Sequence, residues 1–230
     1  MKTIGVLGGI SPQATMDFEQ RLHAVAQRLI PQRGNLGYPP LVVYYHRGPP
    51  VFVDEQGHPL VPRRLDPRFL DAARRLGAWA DFLVVTANAP HLQLPEFEQA
   101  AGRPVLSMVA LAVDEVRRRG WARVGLLGLG DPVVYREPLD QLGLAYETLS
   151  EPERAPLDAA IIALMEGRTD AAARAVARTA VDTLRARPVD GVILGCTEIP
   201  LLLGAAAEAP DLLSPLPLLA EAAVRAALAE

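Results

Sequence analysis

Thr3-Ile4-Gly5-Val6-Leu7-Gly8-Gly9-Ile10-Ser11-Pro12 decides how the rest of the chain is read. Thr3–Leu7 is apolar enough for a buried strand, and Gly8-Gly9 supplies a turn where other residues resist the backbone angles. Ser11 before Pro12 is an N-cap followed by proline at the first helical position, so a helix opens there. Its apolar residues keep helical spacing to about Leu29. A strand that feeds directly into a helix is the first half of a βαβ unit, and parallel sheets covered by helices follow when such units repeat.

Going outward, the pattern does repeat. Leu41–Tyr45 is a second apolar strand. A Pro/Gly-rich stretch from Arg47 to Pro67 follows, in which no regular structure is expected; so long a loop beside a sheet often covers a site. Arg68–Ala80 reads as a helix. Asp81–Thr86 and Pro104–Met108 read as strands with a short helix between them. The plan then restarts: Arg123–Leu127 is a strand ending in Gly128 and Gly130, and a helix from Pro132 to about Leu142 again opens on proline. Leu144–Leu149 is a strand, Leu157–Met165 and Thr169–Arg187 are Ala-rich helices, and Val189–Leu194 is an apolar strand running into Gly195-Cys196-Thr197. A last helix runs from about Leu216. The fold class read from this order is α/β, with two halves built on one plan. The N-terminal domain takes 1–108 plus 215–230, and the C-terminal domain 109–214.

Composition excludes several kinds of function. Half of the 230 residues are hydrophobic and 22% are charged, which suits a globular protein. The 27 acids outnumber the 23 bases, so there is no surplus of cations to neutralise a phosphate backbone, and no nucleic-acid partner is expected. The apolar run Ile4–Ile10 is far shorter than the roughly 20 residues of a spanning helix, so no membrane partner and a cytoplasmic location are expected. Cys196 is the only cysteine, which rules out an internal disulfide and a multi-cysteine zinc site. Lys2 is the only lysine, leaving none placed for a phosphate loop or a pyridoxal Schiff base. Neither a metal nor a cofactor is expected.

In sheets of this kind ligands sit beyond the carboxyl ends of the strands. Gly8-Gly9-Ile10-Ser11 is either a bare strand-to-helix turn or, through free backbone N–H groups at a helix N-terminus, a site for a substrate carboxylate. Cys196 taken alone is a small buried hydrophobe, as free cysteines mostly are. Its place before Thr197-Glu198-Ile199-Pro200, near the start of a short helix, points instead to a lowered thiol pKa and a thiolate. The Asn88 amide either ties down a turn or binds a carboxylate. His91 is by default structural or solvated, with proton transfer as its alternative role.

Ile4 to Thr15, then Asn88-Ala89-Pro90-His91, then Gly195-Cys196-Thr197-Glu198-Ile199 together resemble the aspartate/glutamate racemase family, and the similarity spans nearly the whole chain. The resemblance implies two pseudo-symmetric α/β domains facing an active-site cleft, in a homodimer. It implies action on acidic amino acids without pyridoxal phosphate or metal. In that family two thiols serve opposite faces of the substrate α-carbon, one removing the proton and the other returning it. The family's C-N-T-x-H pattern places Ala87 at the first cysteine, Asn88 at the Asn, Ala89 at the Thr and His91 at the His. Cys196 is the second cysteine, followed by Thr197 and Glu198 as the pattern expects. The resemblance assigns substrate contacts to Ile10, Ser11, Ala87, Asn88, Ala89, Thr197 and Glu198. Arg47, with Arg63 and Arg64 further along the same stretch, is the candidate for the family's substrate-gripping arginine.

Ala87 has no proton to exchange, so two-thiol inversion needs another group on that face. Thr86 is adjacent, but alternation along a strand points it the opposite way. Three functions follow: a cofactor-independent racemase of aspartate, glutamate or a close relative; a one-thiol enzyme resembling arylmalonate decarboxylase, protonating a carbanion from one side; and a catalytically silent binder of a small carboxylate.

Overall fold

The computed structural model describes residues 1–52, 60 and 64–229. The parts of the Arg47–Pro67 stretch at 53–59 and 61–63, Arg63 among them, lie outside the described residues. The chain divides into two compact units, Met1–Met108 with Leu216–Glu230 and Val109–Pro215.

The first unit carries strands β1 (Ile4–Gly8), β2 (Leu41–Tyr45), β3 (Phe82–Val85) and β4 (Val105–Leu106) in the order β2-β1-β3-β4. Every pairing is parallel, with Ile4 opposite both Leu41 and Phe82. β1 is buried along its whole length because it lies between two strands and under helices on both faces. Helix α1 covers Pro12–Leu29 with Ser11 as its N-cap, as the Ser-Pro signal requires. Helices α2 (Pro67–Trp79) and α3 (Leu94–Ala101) bring Phe69, Leu76 and Phe97 onto Leu7, Leu83 and Val85 of the sheet. The Arg47–Pro67 stretch is not wholly irregular. Val51 and Leu65 form an antiparallel bridge, and Asp66 N–H donates to Pro50 O at 2.9 Å.

The second unit repeats the plan with β5 (Arg123–Leu127), β6 (Ala145–Thr148), β7 (Gly191–Leu194) and β8 (Leu212–Leu213), in the order β6-β5-β7-β8 and again all parallel. Helix α4 (Met108–Arg119) leads into β5. The sequence reading ends a strand at Met108 and assigns no helix before Arg123. In the structure β4 is two residues long and Met108 opens α4 instead. A 3-10 turn (Val133–Tyr135) and α5 (Arg136–Gln141) replace the single helix expected from Pro132. Helix α6 (Glu151–Met165) starts six residues earlier than the expected Leu157. The capping box of Ser150 and Glu153, with Ser150 N–H donating to Glu153 at 2.7 Å, sets that start, and Pro156 is tolerated inside the helix. Helix α7 (Ala171–Arg185) is capped by Asp170, and α8 (Ile199–Leu203) follows Cys196. Helix α9 (Pro215–Leu228) closes the chain back onto the first unit, where Lys2 N–H donates to Ala227 O at 2.8 Å. The core of the second unit joins Leu157, Ile161, Val181 and Leu184 of α6 and α7 to Val192 and Leu194 of β7. Among the described residues no helix is long and apolar enough to cross a membrane.

Candidate active site

In the first unit the candidate residues cluster at the carboxyl ends of β1, β2 and β3. Gly9 turns with φ of 79°, and a Cβ there would lie 2.6 Å from Tyr45 Cα, so both the angle and the close approach of β2 demand glycine. The turn is held by a residue the sequence reading did not single out. Thr15, fully buried on the first turn of α1, accepts from Gly9 N–H at 2.8 Å and donates its hydroxyl to Ser11 O at 3.0 Å. A hydroxyl has one proton, so the 2.9 Å contact between Thr15 and Thr86 is a bond in which Thr86 donates. No sequence signal finds this pair, because its partners are 71 positions apart.

Ser11 is buried and its Oγ accepts from Ala14 N–H at 3.4 Å. Ile10 and Ala87 pack against the same hydrophobic cluster, on the α2/α3 side of the sheet, while Thr86 faces α1. Strand alternation therefore separates Thr86 from Ala87 as anticipated. Asn88 is buried, and its backbone carbonyl accepts from His91 N–H at 3.0 Å in the following turn. Ala89 is exposed. His91 is buried with both ring nitrogens committed. Nε2 accepts from Met108 N–H at 3.2 Å, so Nδ1 carries the proton and donates to Asn88 O at 3.1 Å. Burial holds its pKa below the ordinary range. The imidazole thus ties Asn88, after the end of β3, to Met108. Arg47 lies against the turn: Nη1 donates to Gly9 O at 3.4 Å and the guanidinium sits 5.1 Å over the Tyr45 ring. Arg64 stacks instead on Phe52, at 5.8 Å.

In the second unit β7 runs into Gly195-Cys196. A Cβ at Gly195 would lie 2.8 Å from Leu127 O and 2.9 Å from the Tyr135 ring, so only glycine lets the chain pass between β5 and the fully buried Tyr135. Cys196 is 9% exposed. Its Sγ–H donates to Glu198 Oε2 at 2.9 Å, and Thr197 Oγ1–H donates to the same oxygen at 3.0 Å. The backbones of Glu198 and Leu129 act on the thiol in the opposite sense to burial, favouring the thiolate. Glu198 Oε1 is buried and has no hydrogen-bond partner among the described residues.

The expected thiolate is corrected by this geometry. Burial, followed by the negative charge of Glu198, pushes the Cys196 thiol well above its ordinary pKa and outweighs the effect of those backbones. The short helix α8 is present as expected, but desolvation and an adjacent carboxylate overrule it. Cys196 rests as a thiol with its proton directed at a carboxylate, an arrangement able to hold and pass one proton.

A family model described as Asp/Glu/Hydantoin racemase matches residues 7–229. The chain is similar to the broad specificity amino-acid racemase of Bacillus subtilis (strain 168), at 25% identity over 114 residues. That match covers 49% of this chain and 48% of that protein, so it spans about half the length of the relative. Among solved structures, the Picrophilus torridus aspartate racemase superposes with a TM-score of 0.80 at 19% identity, covering 99% of this chain and 94% of that one. An aspartate racemase homologue from Pyrococcus horikoshii OT3 gives 0.76 at 23%, covering both chains completely. These two likenesses are of fold.

Proposed function

Since the chain belongs to the Asp/Glu/hydantoin racemase family, we propose that it is a cofactor-independent amino-acid isomerase-type enzyme. It acts on aspartate, glutamate or a similar small acid, and Cys196 is the thiol that transfers the α-proton. The observation that carries this reading is the Sγ–H of Cys196 directed at Glu198 Oε2, with 2.9 Å between sulfur and oxygen. Glu198 takes the thiol proton, the backbones of Glu198 and Leu129 favour the resulting thiolate, and the thiolate removes the substrate α-proton. The substrate carboxylate is assigned to the turn carrying Ile10 and Ser11, with Arg47 supplying positive charge and Asn88 a side-chain amide. Glu198 Oε1, which has no hydrogen-bond partner among the described residues, suits the substrate ammonium.

Ala87 offers no second proton carrier. Thr86 is bonded to Thr15 and His91 to Met108 and Asn88, so neither is prepared to replace it. Exchange at one face, without inversion, is the expected chemistry. One observation favours a second reading, in which Cys196 protonates a carbanion left by loss of carbon dioxide. The thiol holds its proton at rest, which suits a proton donor.

Incubation with L-aspartate and L-glutamate in deuterated water tests both readings. Deuterium is expected at Cα with configuration retained, and its loss in Cys196→Ser. Carbon dioxide release from a disubstituted malonate, without amino-acid exchange, replaces the first reading by the second. Neither reaction, with a small carboxylate still bound, leaves a silent binder.

A further inference from the structure

Tyr45, the last residue of β2, lies opposite Gly8 of β1, and His46 N–H donates to Gly8 O at 2.8 Å, so β2 is held against β1 up to the Gly9 turn. Side chains alternate along a strand and its extension. His46 goes to α2, where its ring meets Phe69 edge-on with 5.3 Å between centroids. Tyr45 goes to α1, where its hydroxyl donates to Glu19 Oε1 at 2.9 Å. Burial, and then the Glu19 bond, hold the phenol above its ordinary pKa, so at neutral pH it keeps the proton it donates. Arg47, two residues past Tyr45, stacks over the Tyr45 ring at 5.1 Å while its Nη1 reaches Gly9 O at 3.4 Å. Arg47 is exposed, and the ring and that carbonyl locate an otherwise flexible side chain.

We propose that Tyr45 is a positioning residue for Arg47. Anchored by Glu19, the ring holds the guanidinium over the Gly9 turn, at the carboxyl end of β1, where it meets the substrate carboxylate already organised. This rests on the reading of Arg47 as the carboxylate's partner. An unstacked arginine gives up its rotamer freedom only when substrate binds, and that ordering weakens affinity. The stack moves the loss into the folding of the free protein instead. The bond to Glu19 fixes the tilt of the ring, and so the face that the cation meets.

Binding of L-aspartate, measured by titration calorimetry, reads the effect. A cation–π contact at an exposed site corresponds to roughly a threefold to fivefold change in affinity, and Tyr45→Leu is expected to weaken binding by about that factor. In an Arg47→Ala background the same substitution is expected to change nothing, since no guanidinium is left to place. Tyr45→Thr, a strand-favouring residue without a ring, is the companion variant and carries the same expectation. Tyr45→Phe keeps the ring without the Glu19 bond and is expected to stay within about twofold. By NMR, the Arg47 δ protons are expected upfield under the ring current, an effect lost in Tyr45→Leu and kept in Tyr45→Phe. Unchanged affinity in Tyr45→Leu while Arg47→Ala binds weakly, or an equal loss with and without Arg47, overturns the proposal. An Arg47→Ala protein that binds L-aspartate as tightly as the unsubstituted one overturns the reading of Arg47 instead, and the δ-proton shifts in the Tyr45 variants still decide whether the ring holds it.

Discussion

Replacing Thr15 by valine removes one buried oxygen that is bonded to Gly9 N–H, Ser11 O and Thr86 Oγ1. The two side chains have the same shape, and threonine and valine have similar helix propensities, so neither packing nor the helix contributes much to the difference. What remains is the cost of orphaned polar groups. Gly9 N–H loses its acceptor in a buried turn, and the Thr86 hydroxyl loses the oxygen it donates to; at roughly 1–3 kcal/mol for each buried unsatisfied group, the loss is about 2–6 kcal/mol. Thr86 can rotate, which places the lower half of that range within reach. Thr15→Ser, which keeps the oxygen, is expected to cost only about 1 kcal/mol for the missing methyl. The double variant Thr15→Val with Thr86→Val removes both hydroxyls at once. It is expected to cost less than the sum of the single changes by about 1–2 kcal/mol, since only Gly9 N–H is then left unpaired. Urea unfolding at unchanged slope gives the stabilities, and exchange of the Gly9 amide reports the turn itself. A loss below about 0.5 kcal/mol in Thr15→Val, or strictly additive costs in the double variant, refutes the idea that this hydroxyl locks the turn beneath Ser11.

The remaining expectations concern ionisation and the missing thiol. Glu198→Gln removes the charge that, after burial, raises the Cys196 thiol; alkylation at neutral pH is expected to quicken while α-proton exchange slows, and a variant with unchanged alkylation contradicts the pairing. His46 and His91 are buried and held below the ordinary histidine pKa chiefly by desolvation. The native state therefore binds fewer protons than the unfolded one. The stability they support is complete above about 6.5 and declines as pH falls below that value through their depressed native pKa. Urea midpoints for the unsubstituted protein and His91→Gln, compared across that window, are expected to diverge above it and converge below. Ala87→Cys restores a thiol at the position the family pattern reserves for one; it is expected to convert exchange with retention into inversion, read by chiral chromatography. A folded Ala87→Cys protein that exchanges without inverting removes Ala87 from that role.

Much of this protein is written locally. The apolar run before Gly8-Gly9 and the Ser11-Pro12 pair place β1 and both ends of α1 within a residue, and Leu41–Tyr45 and Arg123–Leu127 are strands with the limits read from their apolar composition. Each signal lies inside the element it specifies, which is why the alternation of strand and helix, and from it the pair of parallel sheets, follows from the chain alone. The family likeness is equally local, carried by short segments around Ser11, Asn88 and Cys196. Other features depend on partners far along the chain. Helix α4 begins at Met108, whose N–H is received by His91, and β8 is two residues paired with β7 across a sheet, too short a run to announce itself. The state of Cys196 is decided in the same way. Its sequence neighbours favour a thiolate, and the core around it with the Glu198 carboxylate favours a thiol, because ionisation depends on the surrounding medium and the nearest charges rather than on chain order. The Thr15–Thr86 bond and the bond from Tyr45 to Glu19 likewise exist only once separate elements have packed.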